Sequence, residues 1–119
     1  MNVALIGASD KKHRYSYKAF QLLKEKGHSV FPVHQRVKSI EGEAVYASVK
    51  DIKEPVDTVS MYVASDVSSA LAEDILSLEP RRLIFNPGAE NPQLEERAKA
   101  AGVECLNACT LVMLNTGRF

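Results

Sequence analysis

Two short polar stretches of this chain carry the residue types that bind charge. The first is "GASDKKHRYS" (Gly7 to Ser16), where a glycine and a serine precede Lys11, Lys12, His13 and Arg14. The second is "HQRVK", which sets His34, Gln35, Arg36 and Lys38 within five residues. A glycine turn that opens a helix presents backbone N–H groups, and those groups favour phosphate. Basic side chains beside it supply charge-assisted hydrogen bonds to phosphate oxygens. Both stretches therefore point to an anionic, phosphorylated small molecule.

Residues for covalent or acid–base chemistry are sparse. His28 stands beside Gly27 at a helix-to-strand junction, a structural position, whereas His13 and His34 lie in the basic stretches and could contact phosphate. Cys105 and Cys109 are the only cysteines. They are too few for a disulfide framework and lack two further ligands for zinc. Glu73 with Asp74, and Glu95 with Glu96, read as solvated helix faces. The expectation is a binding module with no catalytic residue and no metal site.

The elements that position the two stretches follow from the pattern of apolar residues. "VALI" (Val3 to Ile6) is an unbroken apolar run, as for a parallel strand covered on both faces. Tyr17, Phe20, Leu22 and Leu23 recur at helical spacing until Gly27, with Lys24 and Lys26 in the last turn. "SVFPV" (Ser29 to Val33) is a second strand, and Pro32, which removes a donor, puts that end at an edge or takes it out of the sheet. A loop with a short helical turn around Val49 to Ile52 ends at Pro55. The third strand is Asp57 to Val63. One long helix spans Ser65 to Leu78, capped by Ser65 or Asp66, with Val67, Leu71, Ile75 and Leu78 turned inward. Arg82 to Asn86 and "VECLN" are the last two strands, separated by a helix closing at Gly102.

Strand alternating with helix implies an α/β fold: a small doubly wound, Rossmann-like parallel sheet of about five strands with helices on both faces. The 119 residues suit a single domain, 1–119, able to bury about two-thirds of its unfolded surface. Such sheets take ligands beyond the carboxyl ends of their strands, at the switch in strand order. That rule selects "GAS", "HQR", "ASD" and "NPGA" at the four strand tips. Fifteen basic residues balance fifteen acidic ones, which removes the broad charge footprint of a nucleic-acid or membrane-surface binder. No apolar run approaches the roughly 20 residues that span a bilayer. No basic leader precedes the first strand, so the expected location is cytoplasmic.

An ordinary dinucleotide site fits poorly. The fingerprint wants three glycines where this turn has one, and a carboxylate after the second strand where this chain has His34, Gln35, Arg36 and Lys38. Basic groups there suit a phosphorylated ribose, as in NADP or coenzyme A.

Together "VALIGASDKKHRYSYKAFQLLKEKGHSVFPVH", "DTVSMYVASDV" and "LIFNPGAENPQLEERAKAAGVECLNAC" resemble the CoA-binding domain family, similar to the CoA-binding domain of the succinyl-CoA synthetase alpha subunit. The resemblance implies that Gly7, Ala8, Ser9 and the Arg14 to Ser16 segment hold the CoA phosphates. Pro32, Val33 and His34 would flank the adenosine, with Lys38 near a phosphate. Val63 and Ala64 would line the groove, and Asn86, Pro87 and Gly88 would face its far wall. The chain departs from the family in two places: it reads Pro-Val-His-Gln where Pro-Val-Asn-Pro is common, and Lys11-Lys12 where Asn-Pro is frequent. The phosphorylated histidine of the related synthetase belongs to a second domain, so no histidine here inherits its role.

The expected function is binding of coenzyme A or an acyl-CoA, a small-molecule nucleotide ligand, with no catalysis. The alternatives are an NADP-binding redox domain, a CoA-binding subunit of a ligase assembly completed in trans, and a decayed site kept for protein interaction. Cys109 could form a mixed disulfide with CoA. The apolar tail "TLVMLNTGRF" would pack as a last helix or make an oligomer contact.

Overall fold

The computed structural model describes residues 1–119. Five parallel strands form the sheet: β1 (Asn2–Ile6), β2 (Ser29–Val33), β5 (Thr58–Met61), β6 (Arg82–Phe85) and β7 (Glu104–Asn107). Their spatial order is β2-β1-β5-β6-β7, every pair parallel. The order reverses beside β1, because the chain steps outward to β2 and then returns to the other side as β5. This is the doubly wound, Rossmann-like arrangement expected from the sequence.

Alternation along the buried strands divides the core into two layers. Ala4, Ile6, Val59, Met61, Leu83 and Phe85 point to one face, where they pack with Ile75, Leu94 and Ala98. These last three come from helices α3 (Ala72–Ser77) and α4 (Pro92–Ala100), which share that face with α2 (Ser65–Ala70). Leu5 and Val3 point to the opposite face. There they meet Phe20 and Leu23 of helix α1 (Tyr15–Glu25) and Leu114 of helix α5 (Thr110–Asn115). The apolar tail is thus a packed helix.

Between β2 and β5 the chain makes a strap, residues 34–49, that the sequence pattern does not reveal. It contains a small antiparallel hairpin, β3 (Ser39–Ile40) with β4 (Glu43–Ala44), followed by a 3-10 turn at Val49–Asp51. Each strand of the hairpin has only two residues, too few to show alternation. After β4 the strap runs along the outer edge of β2: the N–H of Tyr46 donates to the Pro32 carbonyl (2.8 Å), and that of His34 to the Tyr46 carbonyl (3.0 Å).

Three local expectations are corrected. The long helix from Ser65 to Leu78 is two short helices broken at Leu71, whose φ of −98° and ψ of 2° leave the helical range. Neither Ser65 nor Asp66 caps it, for Ala64 occupies the cap position without a side-chain hydrogen bond. Val67 does not turn inward. It is 43% exposed, and Ser68 takes the buried place beneath it.

Candidate functional site

The site begins at the turn after β1. Gly7 has φ of +84°, and a Cβ there would lie 2.8 Å from both the Tyr62 carbonyl oxygen and Cγ1 of Val63. A side chain would collide with the end of β5, so the turn requires glycine for close approach as well as for conformation. The N–H groups of Gly7 and Ala8 both donate to the Val33 carbonyl, at 3.1 and 3.2 Å. Two of the turn amides expected to face a phosphate are therefore spent on stitching β1 to β2.

Free donors lie slightly further along. The backbone N–H groups of Tyr15, Ser16 and Tyr17, in the first turn of α1, have no acceptor in the chain. The cap residue is Arg14, which has no side-chain acceptor to offer, and the first turn holds no acidic residue. An open helix N-terminus with a cation at its cap attracts an anion. Ser9 sits just ahead of it, its Oγ accepting the N–H of Lys11 at 3.0 Å. Ser16 is buried within α1's inner face, while Lys11, Lys12, His13 and Arg14 are exposed.

Gly7 also lines a cleft of about 310 Å³ at the tips of β1, β2 and β5. Ile6, Gly7, Val33 and Val63 form its floor, and His34 and Gln35 stand on one side. Ala47, Ser48 and Val49 arrive from the strap, Val67 from α2 and Leu71 from the break that follows it. The lining is mostly apolar, with a few polar groups, as suits a flat aromatic base or a short aliphatic chain. Val67 is exposed because it faces this cleft instead of the core. His34 is fixed by its own turn: Nδ1 accepts the N–H groups of Arg36 and Val37, at 3.0 and 3.1 Å. The proton of the neutral ring is therefore on Nε2, which is left as a donor.

Of the residues singled out in the sequence, Gly7, Val33, His34 and Val63 meet in this cleft. Pro32 is buried one residue back in β2, and Ala64 is exposed at the start of α2. Lys38 is exposed at the base of the hairpin, its carbonyl accepting the N–H of Val45. Asn86 is fully buried, and its amide is used internally. Nδ2 donates to the Met61 carbonyl (2.8 Å) and to Oγ of Ser60 (3.0 Å), while Oδ1 accepts the N–H of Thr110 (2.8 Å). Asn86 thereby locks β5, β6 and α5 together. Pro87 and Gly88 are exposed in the turn that follows, where the Gly88 N–H donates to Glu90.

The lining from Ala47 to Val49 escapes sequence reasoning because it comes from the strap, through a bridge between Val33 and Tyr46. The one local clue is Ser48, whose hydroxyl accepts the N–H of Lys50 and starts the 3-10 turn.

The remaining chemistry-bearing side chains lie elsewhere. Cys109 lines a separate apolar groove with Leu106, Val112 and Met113, which shares no residue with the cleft. His28 lies at the other pole of the sheet, 3.1 Å from the Met1 amine and edge-on to Phe119. Burial holds its pKa below the usual value, and the charges of the N-terminus and Arg82 add to that.

A sequence model of the CoA binding domain matches residues 1–115. The chain belongs to the CoA-binding domain family. Among its relatives is the uncharacterized protein YneT of Bacillus subtilis, 24% identical over 100 residues, which are 84% of this chain and 74% of YneT. Another is the alpha subunit of acetate–CoA ligase (ADP-forming) II of Pyrococcus furiosus, 39% identical over 62 residues. That match takes in 51% of this chain but only 14% of the ligase subunit. A crystal structure of an uncharacterized protein superposes with a TM-score of 0.94 at 39% identity, covering 99% of this chain and 97% of that one. This CoA-binding domain thus has relatives of about its own size and also one that is a small part of a ligase subunit. No helix in it is long and apolar enough to cross a membrane.

Proposed function

We propose that this domain binds coenzyme A or an acyl-CoA and carries no catalysis of its own. The observation that bears most weight is the open, acid-free N-terminus of α1, capped by Arg14, at the same carboxyl end of the sheet as the apolar cleft. One feature suits the phosphates and the other the adenine or the pantetheine arm. In this reading the amides of Tyr15 to Tyr17 and the hydroxyl of Ser9 hold phosphate oxygens, and Lys11, Lys12 and Arg14 neutralise them. His34 donates from Nε2, and Arg36 and Lys38 favour a phosphorylated ribose. Membership of the CoA-binding domain family supports the choice of ligand.

A second reading has its own support. The likeness to part of a ligase alpha subunit favours a CoA-binding subunit whose chemistry is supplied by a partner. Co-purification with a catalytic chain would favour it over a free-standing binder.

The test is thermal unfolding with separate additions of CoA, acetyl-CoA, NAD and NADP. A ligand at about 100 times its dissociation constant adds roughly 2.7 kcal/mol, a rise on the order of 10 °C in the midpoint. CoA should give that rise, and Arg14→Glu should shrink it without lowering the midpoint of the free protein. A rise with NADP alone would replace this reading with a redox one. Silence from all four would mean a site that is decayed or completed by another chain.

A further inference from the structure

The strap is held from outside by α1. The hydroxyl of Tyr17 donates to Oε1 of Glu41 at 2.5 Å, and Nε2 of Gln21 donates to the same oxygen at 2.9 Å. One turn further along α1, Lys24 pairs with Glu43. Beneath these contacts Ile40 is buried, packed in one cluster with Tyr17 and Phe20. The other end of the strap supplies Ala47, Ser48 and Val49 to the cleft.

The turn at the hairpin tip adds an independent observation. It has two residues, Glu41 and Gly42, with φ of 49° and 81°. Two-residue hairpins with both φ values positive favour Asn, Asp or Gly at the first place, and a glutamate there is unfavourable for the turn itself. Departures of this kind persist where the surrounding contacts over-determine them, and they gather at clamps and switches. The side chain that the turn disfavours is the one long enough to reach both Tyr17 and Gln21.

We propose that Glu41 is a positioning residue for the ligand: clasped to α1, it fixes the strap as the outer wall of the cleft. Tyr17 joins the two halves of the site. Its N–H belongs to the open terminus of α1, and its hydroxyl holds the strap. Phosphate at the helix end and a base or acyl chain in the cleft are thereby gripped by one residue, and loosening the clasp weakens both. This inference rests on the CoA-binding reading above.

The experiment compares the full chain with Glu41→Asn and Glu41→Gln. Glutamine keeps the reach and an acceptor oxygen. Asparagine is a better turn residue but one methylene too short. For each protein, CoA binding is measured by calorimetry, amide exchange is measured across residues 38–47, and the unfolding midpoint is recorded. Glu41→Asn should unfold near the native midpoint, the better turn residue offsetting the two lost hydrogen bonds, exchange faster in the strap, and bind CoA about tenfold more weakly. Glu41→Gln should bind within about twofold of native. If Glu41→Asn binds CoA as tightly as the native chain, or if Glu41→Gln is as weak as Glu41→Asn, the positioning role is overturned. If the native chain itself gives no heat with CoA, the ligand reading falls and the positioning role with it. In that case the exchange data still report whether the clasp holds the strap.

Discussion

At the scale of single residues, the site depends most on an atom that is missing. Gly7 has no room for a Cβ against Tyr62 and Val63, and its φ is positive. Gly7→Ala should therefore destabilise the fold by about 2 kcal/mol or more, read as a lower urea midpoint with an unchanged slope. An unaltered midpoint would mean that the end of β5 can retreat. Gly7, Val33, His34 and Val63 are legible in the sequence because each directly follows or ends an apolar run, and strand tips are where such sheets bind. The role of Asn86 is not legible in this way. Its place after a strand looks the same in sequence whether the amide faces a ligand or, as here, three buried partners.

At the scale of elements, β2 is found at Ser29–Val33 from its composition, and of the two places that Pro32 allows, an edge or outside the sheet, it takes the edge. The break at Leu71 is hidden, since no glycine or proline marks it and the apolar spacing continues across it. The strap is hidden because long-range pairing with β2 and α1 holds it, where local propensity offers little. Electrostatics also act between elements. Asp57, at the start of β5, accepts from Arg81 just before β6, at 3.1 Å through Nε and 3.3 Å through Nη2, and from Thr58 at 2.6 Å. The Arg81 contact foremost, with Thr58 adding to it, holds the Asp57 carboxyl below its ordinary range. A folded pKa below the unfolded one, about 3.9 for a free aspartate, gives stability that is complete above that value. The stability is lost as pH falls through the lower, folded value. Asp57→Asn should cost about 1 kcal/mol near neutral pH, a modest figure because Arg81 is largely solvated. It should also flatten the loss of stability below about pH 4. Equal acid sensitivity in the native chain and the variant would remove this pair from the account.

At the scale of the whole molecule, the sheet separates two apolar layers that share no side chain. Leu23→Ala on the α1 face should cost about 2–5 kcal/mol and Ile75→Val on the α3 face about 1 kcal/mol. Measured in urea, the pair should sum to within about 0.5 kcal/mol, because the sites are distant and have no common partner. A larger discrepancy would show strain passing through the strands. The doubly wound order is legible in the sequence as a whole, since alternating strands and helices leave few other ways to cover both faces. The outer margin of β2 has a consequence of another kind. Pro32 has no N–H, so along that margin its carbonyl is satisfied by Tyr46, while its nitrogen can receive no further chain. A row of unpaired backbone groups is a template on which other chains polymerise, and here the row is interrupted by chemistry and then covered. The strap that walls the cleft also ends the sheet, so a mutation that frees it would expose the domain to aggregation as well as open the cleft.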